Sequence, residues 1–385
     1  MNALKLGENH KQILNFIRFQ KKLSGAEIAR LTGLQPSTIV YNLKFLSGLK
    51  IIEVGKIGNS TTKGGKRPTL WQLNQSYGTI IGLEILLNKI RTSVIDFSGT
   101  VVYQNEKSIS KNTNGKNIGS VVSDLIESVI KQVKLRKETI LGIGLAVPGL
   151  VNSNEGVVYY STKLNMTNLD LKLLIEKKVH IPVMVMNDAN AGALGFIWFP
   201  EHNENLPSNI VYLLINKEWK NIGSGIILNH QLYQGAHGTS GEIFTTLPGF
   251  SELIAEGIKR FGKDQWNPKN KTIELSDFIE GLKQNNKICS YVINCFSNAV
   301  VDSIISIVGL INPHLIVIGG DITEEKTIIN DFIKPSVACK TKNLLLSDRY
   351  VPEIMLSRFG KYSVCMGATA GILNNMFSMS SIHSE

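Results

Sequence analysis

The chain changes its hydrophobic rhythm once, near residue 75, and the change divides it. Before that point apolar positions recur at helical spacing. "NHKQILNFIRFQ" places Ile13, Phe16 and Ile17 at i, i+3 and i+4, one stripe of a helix. "LSGAEIARLTG" opens with Ser24 and Glu27 at capping-box spacing, runs through Ile28 and Leu31, and stops at Gly33. "QPSTIVYNLKFLSGL" has Pro36 at a first-turn position, with Val40, Leu43 and Leu46 expected on the inner face. A short Gly-containing turn joins the second and third patterns, as in a helix-turn-helix. Two β-like runs, 51–54 and 69–73, then flank a Gly/Lys-rich tip and read as a wing.

From Tyr77 onward the texture is strands and turns. "TIIGLEILLNKIRTSVIDFSGTVVYQNEKSI" holds three apolar runs separated by "NK" and "DFSG", a β-meander. A helical stretch (116–135) and the strand "ILGIGLAVPGLV" follow, and a second meander recurs as "IVYLLINKEWKNIGSGIILNHQLYQG". Two meander-plus-helix units predict a two-lobed α/β body with a ligand cleft between related halves. The expected division is a winged helix-turn-helix over 1–74 and a ligand-binding and oligomerisation domain over 75–385, hinged near 186 and near 365. A length of 385 residues suits that count.

Charge sharpens the division. Residues 1–74 carry nine Lys and three Arg against Glu8, Glu27 and Glu53, so +9 of the net +10 lies in the head. A basic head on a nearly neutral body points to a polyanion-binding module. With Val40 and Leu43 inward, Gln35, Ser37, Thr38, Tyr41 and Asn42 are expected on or around the outer face, with Lys44 a turn further on. These side chains hydrogen-bond base edges and phosphates, so operator DNA is the expected partner. Lys63, Lys66 and Arg67 of the wing would reach phosphate or the minor groove. The plainer alternative is a protein-docking helical domain with a polar surface.

Other classes are disfavoured. The opening "MNALKLGENHKQ" has no apolar signal core, and no run approaches 18 uninterrupted apolar residues, so a cytoplasmic chain outside the membrane is expected. Cys289, Cys295, Cys339 and Cys365 show no metal-ligand spacing. One carboxylate stands out. Asp188 follows the buried-looking run "HIPVMVM" and opens "NDANAGALG", where a strand turns into a helix and side chains meet ligands.

Taken in order, "IGLAVPGLV", "MNDANAGALG", "LYQGAHGTSGEI", "INPHLIVIGGDI" and "GATAG" resemble the ROK family of repressors and sugar kinases, from Tyr77 to about Met376. The winged head is similar to the family's repressor branch. The resemblance implies an actin-like, ribonuclease-H-like two-lobed fold. In the kinases it implies that the aspartate of "NDAN" deprotonates a sugar hydroxyl while ATP lies across the cleft. Carried over position by position, it implies ligand contacts from Asn187, Asp188 and Glu242, and from Glu252 beyond the family's zinc loop. It implies the same for Asn165 in "LNM" and for His237 in "GAHG", although a lone His beside glycines is more often structural.

Two departures redirect the reading. Phosphoryl transfer needs its donor cradled by tight glycine turns. The first phosphate loop of the kinases corresponds here to Glu84-Ile85-Leu86-Leu87-Asn88-Lys89, with Leu86 and Leu87 in place of glycines. In the second, Trp219 and Asn221 stand at glycine positions; Gly223 and Gly225 suit a strand equally well, and "VIGG" (317–320) reads as a packing turn. The family's zinc-binding cysteine loop is also missing from "GEIFTTLPGFSE", where Thr245 stands in place of a histidine bordering the sugar. The expectation is therefore no metal, no cofactor and no catalysis. It is a sugar- or polyol-responsive regulator, an inositol-like polyol being as open as an aldose, that represses carbohydrate-use genes and leaves operator DNA when ligand binds. Palindromic sites call for a homodimer or a dimer of dimers. The alternatives are an active sugar kinase with a DNA-binding extension, and a DNA-binding protein whose body is only a dimerisation scaffold.

Overall fold

The computed structural model describes residues 6–55, 68–110, 112–201, 204–236, 238–243, 249–266, 273–345 and 351–377. The expected wing-tip residues Lys63, Lys66 and Arg67, together with His237 and Thr245, lie outside them. The head comprises α1 (Glu8–Gln20), β1 (Leu23–Ser24), α2 (Gly25–Thr32), α3 (Pro36–Gly48), β2 (Ile52–Val54) and β3 (Leu70–Leu73). Local punctuation sets these bounds. Ser24 Oγ accepts from the Glu27 amide at 3.3 Å, and Glu27 Oε2 accepts from the Ser24 amide at 2.8 Å, a reciprocal cap on α2. Gly33 ends that helix at φ 71°, and Pro36 opens the next. The strands form a sheet in the order β1-β3-β2, and Ile13, Ile17, Ile28, Ile39, Leu43 and Leu46 make the core.

The first lobe follows with β4 (Thr79–Ile85), β5 (Lys89–Asp96), β6 (Val101–Ser108), α4 (Ile118–Val133) and β7 (Ile140–Val147). It continues through β8 (Leu150–Asn152), β9 (Val157–Ser161), β10 (Met166–Asp170), α5 (Leu171–Val179) and β11 (Val183–Asn187). The main sheet runs β11-β7-β4-β5-β6. β4, β5 and β6 form an antiparallel meander, and β7 lies parallel to β4. Residues of α4 and α5 pack on it through Val122, Ile126, Val129 and Ile175.

Helix α6 (Asp188–Trp198) leaves the end of β11. The second lobe then holds β12 (Ile210–Ile215), β13 (Ile222–Leu228), β14 (Gln231–Tyr233), α7 (Phe250–Phe261), α8 (Leu275–Lys283) and α9 (Lys287–Ile311). β15 (Leu315–Gly319), α10 (Lys334–Leu345) and β16 (Glu353–Leu356) complete it, and α11 (Ser363–Phe377) closes the described chain. Its sheet runs β14-β13-β12-β15-β16, an antiparallel meander extended by two parallel strands. Helix α9 is long and apolar enough to cross a membrane, but its buried residues from Ile288 to Val308 pack into this lobe's core. Burial accounts for its composition.

By packing, the chain divides into two units. One is Met1–Met186, Ile197–Leu206 and Cys365–Glu385, so the head and first lobe belong together; the other is Asn187–Phe196 and Pro207–Val364. Within the first unit, α11 lies close enough to the sheet that only glycine fits beneath it. A Cβ on Gly82 would fall 2.1 Å from the Cys365 carbonyl oxygen, and one on Gly144 would fall 1.9 Å from that of Ala368. The head is tied to the first lobe at two helix ends. Arg18 Nη1 donates to the Trp198 carbonyl at 2.7 Å while its guanidinium lies 3.8 Å from the Trp198 ring centroid. Asn15 donates to the Phe377 carbonyl at 3.2 Å. Both acceptors are carbonyls that a helix leaves unpaired at its end. Burial pushes the Arg18 pKa down to about 9, which still leaves a cation at the negative pole of α6 at neutral pH.

Candidate functional site

On α3 the structure corrects the expected helix phase. Ile39, Asn42, Leu43 and Leu46 are buried, one stripe at i, i+3, i+4 and i+7. Val40, expected inward, is 67% exposed. Asn42, expected outward as a base contact, is buried and spends its amide on the Thr38 carbonyl at 2.7 Å. The reason is that Ile39 and Val40 are both apolar, and the neighbouring helices take Ile39, which turns the helix by one position. The outer stripe is therefore Ser37, Val40, Tyr41 and Lys44, all exposed, with Gln35 exposed at the N-cap and Thr38 half-buried beside it. No residue of α3 is acidic.

The body site in the second unit is built on one strand, β13. Gly225 lets the start of α6 sit against that strand; a Cβ there would lie 2.6 Å from the Ala189 carbonyl oxygen and 2.7 Å from Ala193 Cβ. Gly223 meets Ala189 in the same way at 3.1 Å. The two surviving glycines of the second loop thus serve helix packing. Between them Ser224 donates from Oγ to the Gly241 carbonyl at 2.5 Å. Gly241 has φ 87° and no room for a Cβ against Ser224, so only glycine holds the chain where Glu242 follows.

At the head of α6, Asn187 Oδ1 accepts from the Asn190 amide at 3.0 Å, and Asp188 Oδ1 accepts from the Ala189 amide at 2.9 Å. Free amides and the helix dipole favour a carboxylate in this first turn. Desolvation and then the nearby charge of Asp188 hold the Glu242 carboxyl above the usual carboxylate range. Asn187, Asp188 and Glu242 therefore belong to one neighbourhood, with acceptors suited to paired hydroxyls.

The remaining expected contacts are placed differently. Glu252 is exposed and ion-paired to Lys220 at 2.7 Å, and hydrogen bonding from that lysine lowers its pKa; no described contact joins it to Asp188 or Glu242. Asn165 lies in the first unit, exposed, in the turn between β9 and β10 with φ 47°. Among the described residues no three His, Cys, Asp or Glu gather as a metal site.

Both phosphate-loop positions are occupied by structure of another kind. Glu84 faces Arg91 across β4 and β5, and Arg91 faces Glu106 across β5 and β6. Arg91 lies 3.3 Å from Glu84 and 2.7 Å from Glu106, with both Glu84 and Arg91 side chains 1% exposed. The turn itself is tight, with the Leu86 amide donating to the Lys89 carbonyl at 2.9 Å, and neither Leu86 nor Leu87 has positive φ. In the second loop Trp219 has φ 53° and points into the core, stacked 3.9 Å from Phe296 with Phe250 and Phe278 edge-on. A β-strand turn that a bulky left-handed residue pins in this way has no glycine freedom left. Gly319 makes room for the Tyr212 ring, and Gly320, at φ 86°, turns back on Ile215. Arg91 and the core role of Trp219 escaped sequence reading. The hairpin spacing of Glu84 and Arg91 was the available signal for the first.

Comparison with known proteins covers both parts of the chain. The ROK family profile matches residues 80–374. The chain is 25% identical to a xylose repressor of Caldicellulosiruptor bescii, covering 96% of both. A xylose repressor of Bacillus subtilis gives the same identity and coverage. Among solved structures, a ROK family transcriptional regulator described as a homolog of the E. coli MLC protein superposes with TM-score 0.75 at 21% identity, covering 96% of each chain. A ROK glucokinase from Streptomyces griseus, in complex with glucose and AMPPNP, superposes with TM-score 0.61 at 18% identity, covering 98% of its own length but 76% of this chain.

Proposed function

The chain belongs to the ROK family, and from that premise we propose that it is a sugar- or polyol-responsive transcriptional repressor and not an enzyme. Its head grips operator DNA, and ligand at Asn187, Asp188 and Glu242 releases it. The observation that carries this reading is a body that keeps the acceptor Asp188 while Arg91 holds the leading acid of the first phosphate loop in a buried ion pair. The end-to-end likeness to repressors, against partial coverage by kinases, supports it. Xylose is the first ligand to test, because that is what the relatives' names carry. On this reading it works in the cytoplasm as a homodimer or a dimer of dimers, the assemblies whose paired recognition helices would suit a palindromic operator.

DNA binding should be strongly salt-dependent, because each neutralised phosphate releases counterions. Replacing Lys44 by alanine should weaken binding to all sequences and reduce the slope of log affinity against log salt by about 0.9. Fluorescence anisotropy over a salt series measures both. Binding that ignores salt, or none to any genomic fragment, overturns the reading. Calorimetry with Mg-ATP should show no saturable heat, and xylose, glucose and inositol should remain unphosphorylated. Turnover that disappears in Asp188→Asn would select the kinase instead.

A further inference from the structure

We propose that Val40 is a specificity-determining residue that reads the C5-methyl group of thymine in the major groove. The inference rests on the head being the DNA-binding module and goes beyond it by naming a reader and the chemical feature read. Three observations meet at this residue. First, α3 has two opposed stripes, and the outer one is hydrogen-bonding or cationic at Ser37, Tyr41 and Lys44 but purely aliphatic at Val40. Second, Val40 is 67% and Tyr41 70% exposed, whereas Ile39 beside them is buried, so Val40 is not the edge of the core. Third, α3 carries Lys44 and no acid and belongs to a head of net charge +9, which suits a polyanionic partner.

A valine cannot donate or accept a hydrogen bond, so on a base edge it can distinguish only shape and methyl contact. The thymine methyl is the apolar feature that the major groove displays. A β-branched side chain on a helix holds essentially one rotamer, so Val40 meets that methyl with little entropy left to lose. Tyr41 extends the same apolar surface by one position, and Gln35, Ser37 and Lys44 frame it with groups suited to bases and phosphates. The arrangement predicts that thymine is required at one or two positions of each half-site.

The test uses the full-length protein. Duplexes are enriched from a random pool by binding, and each thymine of the winner is replaced singly by deoxyuridine, which removes the methyl and nothing else. The expected result is a loss of about 3–10-fold at one or two positions per half-site. In Val40→Ala those positions should no longer distinguish thymine from deoxyuridine, while the salt slope stays that of the parent. Alanine is the better helix former, so the variant keeps α3, which its melting curve checks. Tight binding with no deoxyuridine effect anywhere overturns the inference but leaves the regulator intact. Deoxyuridine effects that persist unchanged in Val40→Ala also overturn it, because another group then reads the methyl. Failure to enrich any duplex overturns the DNA-binding reading itself; capture of a protein by the α3 face in its place would assign that face to protein docking.

Discussion

Replacing Arg91 with alanine is expected to lower the unfolding free energy by about 3–5 kcal/mol, because it leaves Glu84 buried without the cation opposite it. The side chain of Glu84 is 1% exposed, and the Arg91 rung joins three strands of one sheet through Glu84 and Glu106. A buried carboxylate that loses its partner must hydrate or take up a proton, and either disturbs the meander that carries the first lobe. Acidification gives the signature. Burial pushes the Glu106 carboxyl up, but hydrogen bonds from Arg91 and Lys89 outweigh that and hold it below the usual range. A depressed carboxylate stabilises above its unfolded pKa and loses that contribution as pH falls through the folded value. The parent should therefore lose stability on acidification, whereas protonating Glu84 relieves the variant, so the gap between them should narrow. Adding Glu84→Gln to the variant should recover most of the loss at neutral pH. Denaturant unfolding of the three proteins across pH 4 to 8 measures this; a single variant within about 1 kcal/mol of the parent would sink the account.

The parts of this architecture that rest on local chemistry were legible in the sequence. Ser24 and Glu27 fix a helix start through side chains on each other's amides, and Gly33 and Pro36 fix helix ends through backbone conformation, so the helix-turn-helix could be read directly. The two meanders were legible for the same reason, since short turns interrupt the apolar runs. What depended on neighbours was not. Ile39 and Val40 offer the same apolar surface, and only packing in the head decides which turns inward. Asn42 looked like an outer-face residue because its amide is polar, yet a carbonyl four residues back satisfies it inside. Glu252 pairs with Lys220, thirty-two residues earlier in the chain, a partner that only the fold brings beside it. The Arg18 joint needed tertiary structure, because it links residues separated by 180 positions.

Asp188→Asn should produce a repressor that holds its operator whether or not the ligand is present. A regulator of this kind requires that ligand and DNA favour different states of one chain, and thermodynamic linkage then makes each weaken the other equally. A useful switch needs about 1–3 kcal/mol of coupling, roughly 5–150-fold in affinity. Asparagine preserves the shape of Asp188 and an oxygen for the Ala189 amide, and the bond from the Asn190 amide to Asn187 that caps α6 is untouched. What changes is the charge that the proposed site offers a ligand. An amide offers one acceptor where the carboxylate offers two, and hydrogen bonds to a charged group are worth about 1.5–3 kcal/mol against about 1 for neutral ones. Removing that charge also takes away the Coulombic part of what holds Glu242 above its usual range, so Glu242 should ionise more readily in the variant. Operator titrations with and without xylose, on both proteins, decide the matter. The parent should release DNA on adding ligand, and the variant should show the parent's operator affinity with no ligand effect. If ligand binds the parent tightly and its operator affinity stays the same, induction by release is wrong. If ligand tightens DNA binding, the same two sites couple with the opposite sign and the protein is co-repressed or an activator. The expected sign is release, the response of a repressor to its inducer, which requires the ligand to bind more tightly to the state that has left DNA.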